Sequence, residues 1–320
     1  MEQETLVKRQ QQQQQQYQYD GSALSASMVT FLSTIDELET SATISKNVHY
    51  LLKDLVKSKE PSFFDAVVVR ARNDDELSHN SIEHLHDIIA ATAEQILVES
   101  LYHNCSYEIA KTASINEREK LNMTRQNSLV YGEVEFASFI EIILHTAIIP
   151  TSLCRGGKFY DIGSGSGRAV YTARLVQDFD SCVGIELLPN LHDLAESVNS
   201  IYMESTIKAT LPFSNVAFYC QDMLEYDWSD GDVVFAHSTC FEDNLLQSLF
   251  HKAKELKPGS YLITFRATGI DTTAFELMKE IRQEMSWGEA DVFIFRRRAA
   301  VAYTKTWEDA ARVIQPILAP

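Results

Sequence analysis

Hydrophobic positions divide the chain into two stretches with different periods. Between residues 22 and 127 apolar side chains recur every three or four positions, as in Ile82, Leu85, Ile88 and Ile89, then Ala93, Ile96, Leu97 and Leu101. That is the spacing of one face of a helix. Helix-start signals from Ser78 to Glu83 and the helix-stopping Pro61 predict several helices of moderate length. After residue 127, short apolar runs at 158–162, 181–186, 216–219, 233–236 and 261–265 alternate with helical stretches. Strands that are apolar on both faces and separated by helices pair in parallel beneath helices on both sides. The expected fold is α/β: a doubly wound, mostly parallel sheet preceded by a helical N-terminal region. In such sheets a ligand lies beyond the carboxyl ends of the strands, where the strand order reverses.

Composition adds a third segment and narrows the partners. Gln10 to Gln16 are uninterrupted glutamine, which cannot bury a core, so residues 1–20 are expected to be a disordered Gln-rich tail. Residues 21–127 form a helical domain or lid, and residues 128–320 the sheet domain. A formal net charge of -17 and a pI near 4.9 argue against charge-driven binding to nucleic acid or anionic membrane, and favour a basic partner. Cys105, Cys154, Cys182, Cys220 and Cys240 stand singly, so no metal site or disulfide framework is expected and a reducing compartment fits. No secretory signal and no run of about 18 apolar residues is present, which predicts a soluble intracellular protein. Without a Lys/Arg targeting run, nucleus and cytoplasm both stay open.

Candidate chemistry falls at the strand ends. The run at 158–162 closes on Asp161-Ile162, and Gly163-Ser164-Gly165-Ser166-Gly167 follows before Arg168-Ala169-Val170 opens a helix. Glycines without a Cβ let a turn pass closely under a nucleoside; a turn that holds no ligand is the bland alternative. A dinucleotide site asks for GxGxxG, and here Arg168 stands where the last glycine belongs. The GxGxG spacing behind Asp161 is similar to that of class I methyltransferases, which bind S-adenosyl-L-methionine. Glu186 ends the next strand, 25 residues on, where a carboxylate accepts hydrogen bonds from two ribose hydroxyls. Asp222 could accept from an adenine amino group while Met223 packs on its ring. The run 236–241 ends the fourth strand where a methyl group would emerge; a lone histidine such as His237 is more often structural than catalytic, and Cys240 reads as a small buried residue, since direct methyl transfer needs no thiol nucleophile.

These segments, with Tyr131-Gly132-Glu133 ahead of the sheet, resemble the non-SET histone lysine methyltransferase family named for disruption of telomeric silencing. That family has a Tyr-Gly-Glu loop, an Asp-Leu-Gly-Ser-Gly loop and an acidic strand end in the same order. The resemblance covers residues 127 to 300 and implies a Rossmann-like S-adenosyl-L-methionine-binding catalytic domain over 128–320. It implies that Glu133 reaches the cofactor's amino-acid end, that Asp161 and Gly163 contact its methionine portion, and that Glu186 holds the ribose and Asp222 the adenine; Tyr131, Ser164, Gly165, Gly167 and Met223 are expected to be cofactor-binding with them. Phe241 and Trp287 would wall the acceptor channel, with His237 at its mouth where the family carries an asparagine. No metal is implied. The implied partner is a basic protein such as a histone. The family's strongly basic stretch is missing here, and Arg296-Arg297-Arg298, read as a solvated strand end, predicts weak or no direct DNA binding. Alternatives are a class I methyltransferase for a nonhistone protein, RNA or a small molecule, or a silent cofactor-binding scaffold.

Overall fold

The computed structural model describes residues 44–58, 96–144, 149–205, 207–208, 211, 215–285 and 288–299, with single positions between 32 and 40 and between 89 and 94. The Gln-rich segment, Ile82, Leu85, Ile88 and Trp287 lie outside the described residues.

Strands β1 (Lys158–Ile162), β2 (Ser181–Glu186), β3 (Asn215–Cys220), β4 (Val233–Ala236) and β5 (Tyr261–Thr264) pair in parallel. A hairpin of β6 (Phe275–Met285) and β7 (Gly288–Arg297) completes the sheet, with β7 antiparallel to β5. The order is β3-β2-β1-β4-β5-β7-β6. All five expected strands form within a residue of their apolar runs; the hairpin was not anticipated. Strand order reverses between β1 and β4, so the loops after β1, β2 and β4 meet at one end.

Alternation along the strands explains the two cores. Phe159, Cys182, Val233, Phe235 and Ile263 face one side, and Tyr160, Ile162, Val183, Val234 and Leu262 the other. On the first side lie α1 (Lys46–Ser58), α3 (Phe136–Ile143), α5 (Arg168–Val176) and α6 (Pro189–Glu204); α2 (Tyr107–Lys120) packs on α6, and α4 is a single turn (Thr151–Cys154). In α6, Leu191, Ala195, Val198 and Tyr202 recur at three and four, and Pro189 opens the helix where its missing N–H costs nothing. The second side is covered by α7 (Asp243–Ala253) through Leu246, Leu249, Phe250 and Ala253. Burying each large apolar side chain contributes about 1.5–3 kcal/mol.

The N-terminal helix is tied to the sheet by more than apolar contact. The Asp178 carboxylate accepts the N–H groups of Lys46 (2.8 Å) and Asn47 (3.0 Å), which satisfies the open first turn of α1 from another part of the chain. Asn47 Nδ2 donates to the carbonyls of Arg174 and Gln177, each at 2.7 Å, and Ser45 Oγ donates to that of Val176 at 2.8 Å. Ile44, Val48, Leu52, Leu97 and Leu101 belong to one core with Phe139 and Phe159. Among the described residues no helix is long and apolar enough to cross a membrane, and no group of acidic, His and Cys side chains is placed to hold a metal ion.

Candidate functional site

The loop after β1 is pinned to the end of β2, since Gly163 N and Ser164 N both donate to the Ile185 carbonyl at 2.8 and 3.0 Å. Gly163 has φ +81°, and a Cβ placed there would meet nothing within 4 Å. It faces a cavity of about 440 Å³ at the carboxyl ends of β1, β2 and β4, floored by the loop and closed on one side by residues 128–134. Tyr131, Glu133, Asp161, Gly163, Ser164, Gly165, Glu186, Asp222, Met223, His237 and Phe241 all line it. Gly167 does not line it: a Cβ there would lie 2.7 Å from the Phe218 ring, so this glycine admits the packing of that ring under the start of α5. Trp287 cannot be placed relative to the cavity, because it lies outside the described residues.

Two carboxylates dominate the floor. Glu186 Oε2 accepts from Gly165 N and Oε1 from Leu188 N, each at 2.8 Å, so one side chain fixes the loops after β1 and β2. Burial pushes its pKa up, and the backbone N–H groups of Leu188, Gly165 and Leu187 counter this. Asp161 is buried, and its Oδ1 has no hydrogen-bond partner. Burial drives this carboxyl well above the usual carboxylate range, and the neighbouring Glu186 adds to the shift. A buried carboxylate left open is costly unless a donor or cation completes it.

The third acid is arranged differently. Glu133 Oε1 accepts hydrogen bonds from the Tyr131 hydroxyl and from Ser166 Oγ (3.0 Å), while Oε2 lies 2.6 Å from Arg168 Nε. The Arg168 guanidinium rests over the rings of Phe136 (4.5 Å) and Tyr102 (5.1 Å), whose hydroxyl donates to the Ser166 carbonyl. The Glu133 carboxylate is thus engaged by its own chain. Ser166 stood within the expected loop without a role of its own, whereas Arg168 and Tyr102 were missed; Arg168 was visible only as a mismatch to the dinucleotide pattern.

Asp222 Oδ1 accepts from Leu224 N at 2.8 Å in a tight turn, and Trp228 Nε1 holds the Met223 carbonyl at 2.9 Å, which sets Met223 at the cavity edge. On the opposite wall His237 stands edge-on to Phe265 at 4.8 Å, with Nε2 3.3 Å from Thr239 Oγ1. Burial pulls its pKa down to about 4, so the ring is neutral at physiological pH. Phe235, Cys240 and Phe241 complete an uncharged wall. Arg297 of the basic triplet is consumed internally, with Nε and Nη2 donating to the Lys254 carbonyl and Nη1 to those of Ala274 and Arg298.

Residues 111–293 match the family described as histone methylation protein DOT1. The chain is similar to a histone-lysine N-methyltransferase, H3 lysine-79 specific, from Dictyostelium discoideum, 31% identical over 144 residues that are 43% of this chain and 7% of that protein. It is also similar to a protein of the same name from Debaryomyces hansenii, 24% identical over 233 residues, 69% of this chain and 19% of that one. The chain therefore spans less than a fifth of either relative. A solved RNA methyltransferase from Salinibacter ruber in complex with S-adenosyl-L-homocysteine aligns with TM-score 0.37 and 21% identity, over 51% of this chain and 93% of that one.

Proposed function

The chain belongs to the histone methylation protein DOT1 family, and from that membership we propose that it is an S-adenosyl-L-methionine-dependent methyltransferase whose acceptor is a lysine of histone H3. The acceptor rests on the names of the two relatives. The donor rests on one observation: open space over Gly163 adjoins the buried, unpartnered Oδ1 of Asp161.

The residues present fit that cofactor, which offers an ammonium group and ribose hydroxyls as donors. Asp161 would accept from the ammonium, Glu186 from the hydroxyls through its remaining lone pairs, and Asp222 and Met223 would flank the adenine. Glu133 would act through Arg168 and Tyr131, which its carboxylate already holds. Trp287 is proposed as a second wall of the acceptor channel. When bound, S-adenosyl-L-methionine supplies a methyl group open to in-line displacement by an amine. Phe235, the neutral His237 ring and Phe241 give that part of the cavity an uncharged face. A lysine amine has an unperturbed pKa near 10.4, and desolvation against that face favours its neutral, nucleophilic form. Its proton leaves to water before attack, so no side chain is assigned as base. Fixing the amine against the donor makes a bimolecular step effectively intramolecular. The place of action would be chromatin, hence the nucleus, with residues 128–320 as the catalytic domain.

The test is calorimetric titration with S-adenosyl-L-methionine and with NAD, followed by radiolabelled methyl transfer to core histones, nucleosomes and total RNA. Binding of the methyl donor alone with label on H3 supports the proposal. Label on RNA or a nonhistone protein moves the acceptor, cofactor retention without transfer indicates a scaffold, and absence of donor binding overturns the site.

A further inference from the structure

One peptide unit at the cavity wall is gripped from both sides. The carbonyl of Phe241 accepts from Arg266 Nη1, while the N–H of the following residue, Glu242, donates to Ser128 Oγ at 2.8 Å. Arg266 also reaches Asp243 Oδ1 through Nη2 at 2.6 Å. Its own carbonyl is held by Thr264 Oγ1 at 2.9 Å, at the end of β5. The turn leading into the gripped peptide is braced too, since Phe265 N donates to the buried Ser238 Oγ at 3.1 Å and Phe241 N to the Ser238 carbonyl at 3.2 Å. Ser128 lies in the short helical turn Asn127–Leu129, three residues ahead of Tyr131. Both Ser128 and Phe241 line the cavity.

We propose that Ser128 and Arg266 are positioning residues that lock the Phe241–Glu242 peptide plane, and so fix the Phe241 ring as the acceptor wall in register with the Tyr131-Gly132-Glu133 loop. The inference rests on the methyltransferase reading for what Phe241 faces, but the clamp itself is independent of it. Hydrogen bonds to both its C=O and its N–H restrain this peptide plane, and with Phe241 N also held by the Ser238 carbonyl they fix the backbone from which the Phe241 ring enters the cavity. Ser128 and Tyr131 share one short segment, so the strut ties the acceptor wall to the chain ahead of the cofactor-side loop, while that loop keeps its own anchors where Glu133 meets Ser166 and Arg168. Displacement reactions are sensitive to this: a misplacement of about 1 Å costs on the order of a hundredfold in rate.

The experiment uses the full chain as Ser128→Ala, Arg266→Met and Arg266→Lys. Amide hydrogen exchange over residues 238–246, measured without any ligand, should quicken in the first two variants while β5 keeps its protection. With reconstituted nucleosomes as acceptor, kcat should fall about tenfold to a hundredfold, with calorimetric S-adenosyl-L-methionine affinity held within about twofold. Arg266→Lys, which keeps a cationic donor, should recover part of the rate. Wild-type exchange and wild-type kcat in both Ser128→Ala and Arg266→Met overturn the proposal. So does quickened exchange with an unchanged kcat, or a loss of cofactor affinity that tracks the loss of rate. If Arg266→Met does not fold, Ser128→Ala and Arg266→Lys decide the same question. A wild-type chain that methylates no histone sinks the functional reading, while the exchange data still decide whether the clamp exists.

Discussion

Gly163 and Gly167 sit four residues apart, both at positive φ (+81° and +86°), and their surroundings set them different tasks. Alanine at either position incurs left-handed backbone strain of about 1–2 kcal/mol. At Gly163 the added methyl meets only open cavity, so Gly163→Ala should fold with that modest loss in urea denaturation yet bind S-adenosyl-L-methionine at least about tenfold more weakly, because it occupies the ligand's space. At Gly167 the methyl collides with Phe218, which adds about 1–3 kcal/mol of overpacking. Gly167→Ala should therefore be the less stable variant and the one with the more nearly normal affinity; the reverse ranking would exchange their roles. Asp161 and Glu186 carry a prediction in pH. With their pKa values raised in the fold, the folded chain holds more protons than the unfolded one between the ordinary carboxylate range and the raised values. Their contribution to stability is present below the unfolded pKa and lost as pH rises through the folded one. A cationic ligand favours the ionised carboxylates, so cofactor binding should release protons and weaken as pH falls. Calorimetry in two buffers of different ionisation enthalpy reads this directly, and Asp161→Asn should diminish the difference. Both acids were legible because each closes an apolar strand; the lone Oδ1 was not, since a missing partner is a property of the packed site.

The pair Glu133–Arg168 joins two elements, the loop ahead of α3 and the first turn of α5. Its side chains are 7% and 15% exposed, so little solvent screens the pair. Removing one partner strands the other, which costs roughly 3–5 kcal/mol for buried pairs. Arg168→Met should lose stability near the lower end of that range, since methionine keeps apolar contact with Phe136 and Tyr102. Glu133→Gln should lose less, because an amide still accepts from Tyr131 and Ser166 while Arg168 keeps its ring contacts. Urea denaturation of the two variants and their combination measures the coupling, and additive losses would show that the pair is not a unit. This network could not be read from the sequence, because Tyr102, Glu133, Ser166 and Arg168 meet only after three separate segments fold together. The β6–β7 hairpin was obscured for another reason. Phe275, Met278, Ile281 and Met285 recur at three and four, which imitates a helix, and the register shift between Leu277 and Lys279 breaks the alternation that would have marked a strand. By contrast β1, β2 and β4 are short, largely apolar runs with Asp161, Glu186 and His237 at or beside their carboxyl ends, where parallel-sheet geometry places the chemistry.

At the scale of the whole molecule, charge sets the proposed histone acceptor apart from DNA. With 45 acidic against 28 basic side chains, the long-range field attracts a basic protein and repels phosphate. Many described cations are already paired: Lys257 with Asp232 (2.7 Å), Lys254 with Asp271 (2.7 Å) and Arg282 with Glu289 (2.9 Å). The one compact basic triplet offers little more, since Arg297 is spent on carbonyls and Arg298 lies 3.8 Å from Glu276. A protein that neutralises Z phosphates shows a slope of about -0.9Z in log K against log salt; this chain should show a slope near zero on a free duplex, with only weak binding even at low salt. Methyl transfer to free histones should respond to salt in another way. Screening over a Debye length of about 10 Å at 0.1 M slows the encounter of an acidic enzyme with a basic substrate, so kcat/KM should fall with salt while kcat, set by short-range contacts within the cavity, stays level. Titration of both quantities between low and moderate salt, with and without competing duplex, checks the argument in one series. Competition by duplex there also reflects DNA binding the free histones, so the deciding reading is the enzyme alone: tight, strongly salt-dependent binding of duplex without histones would overturn the charge argument.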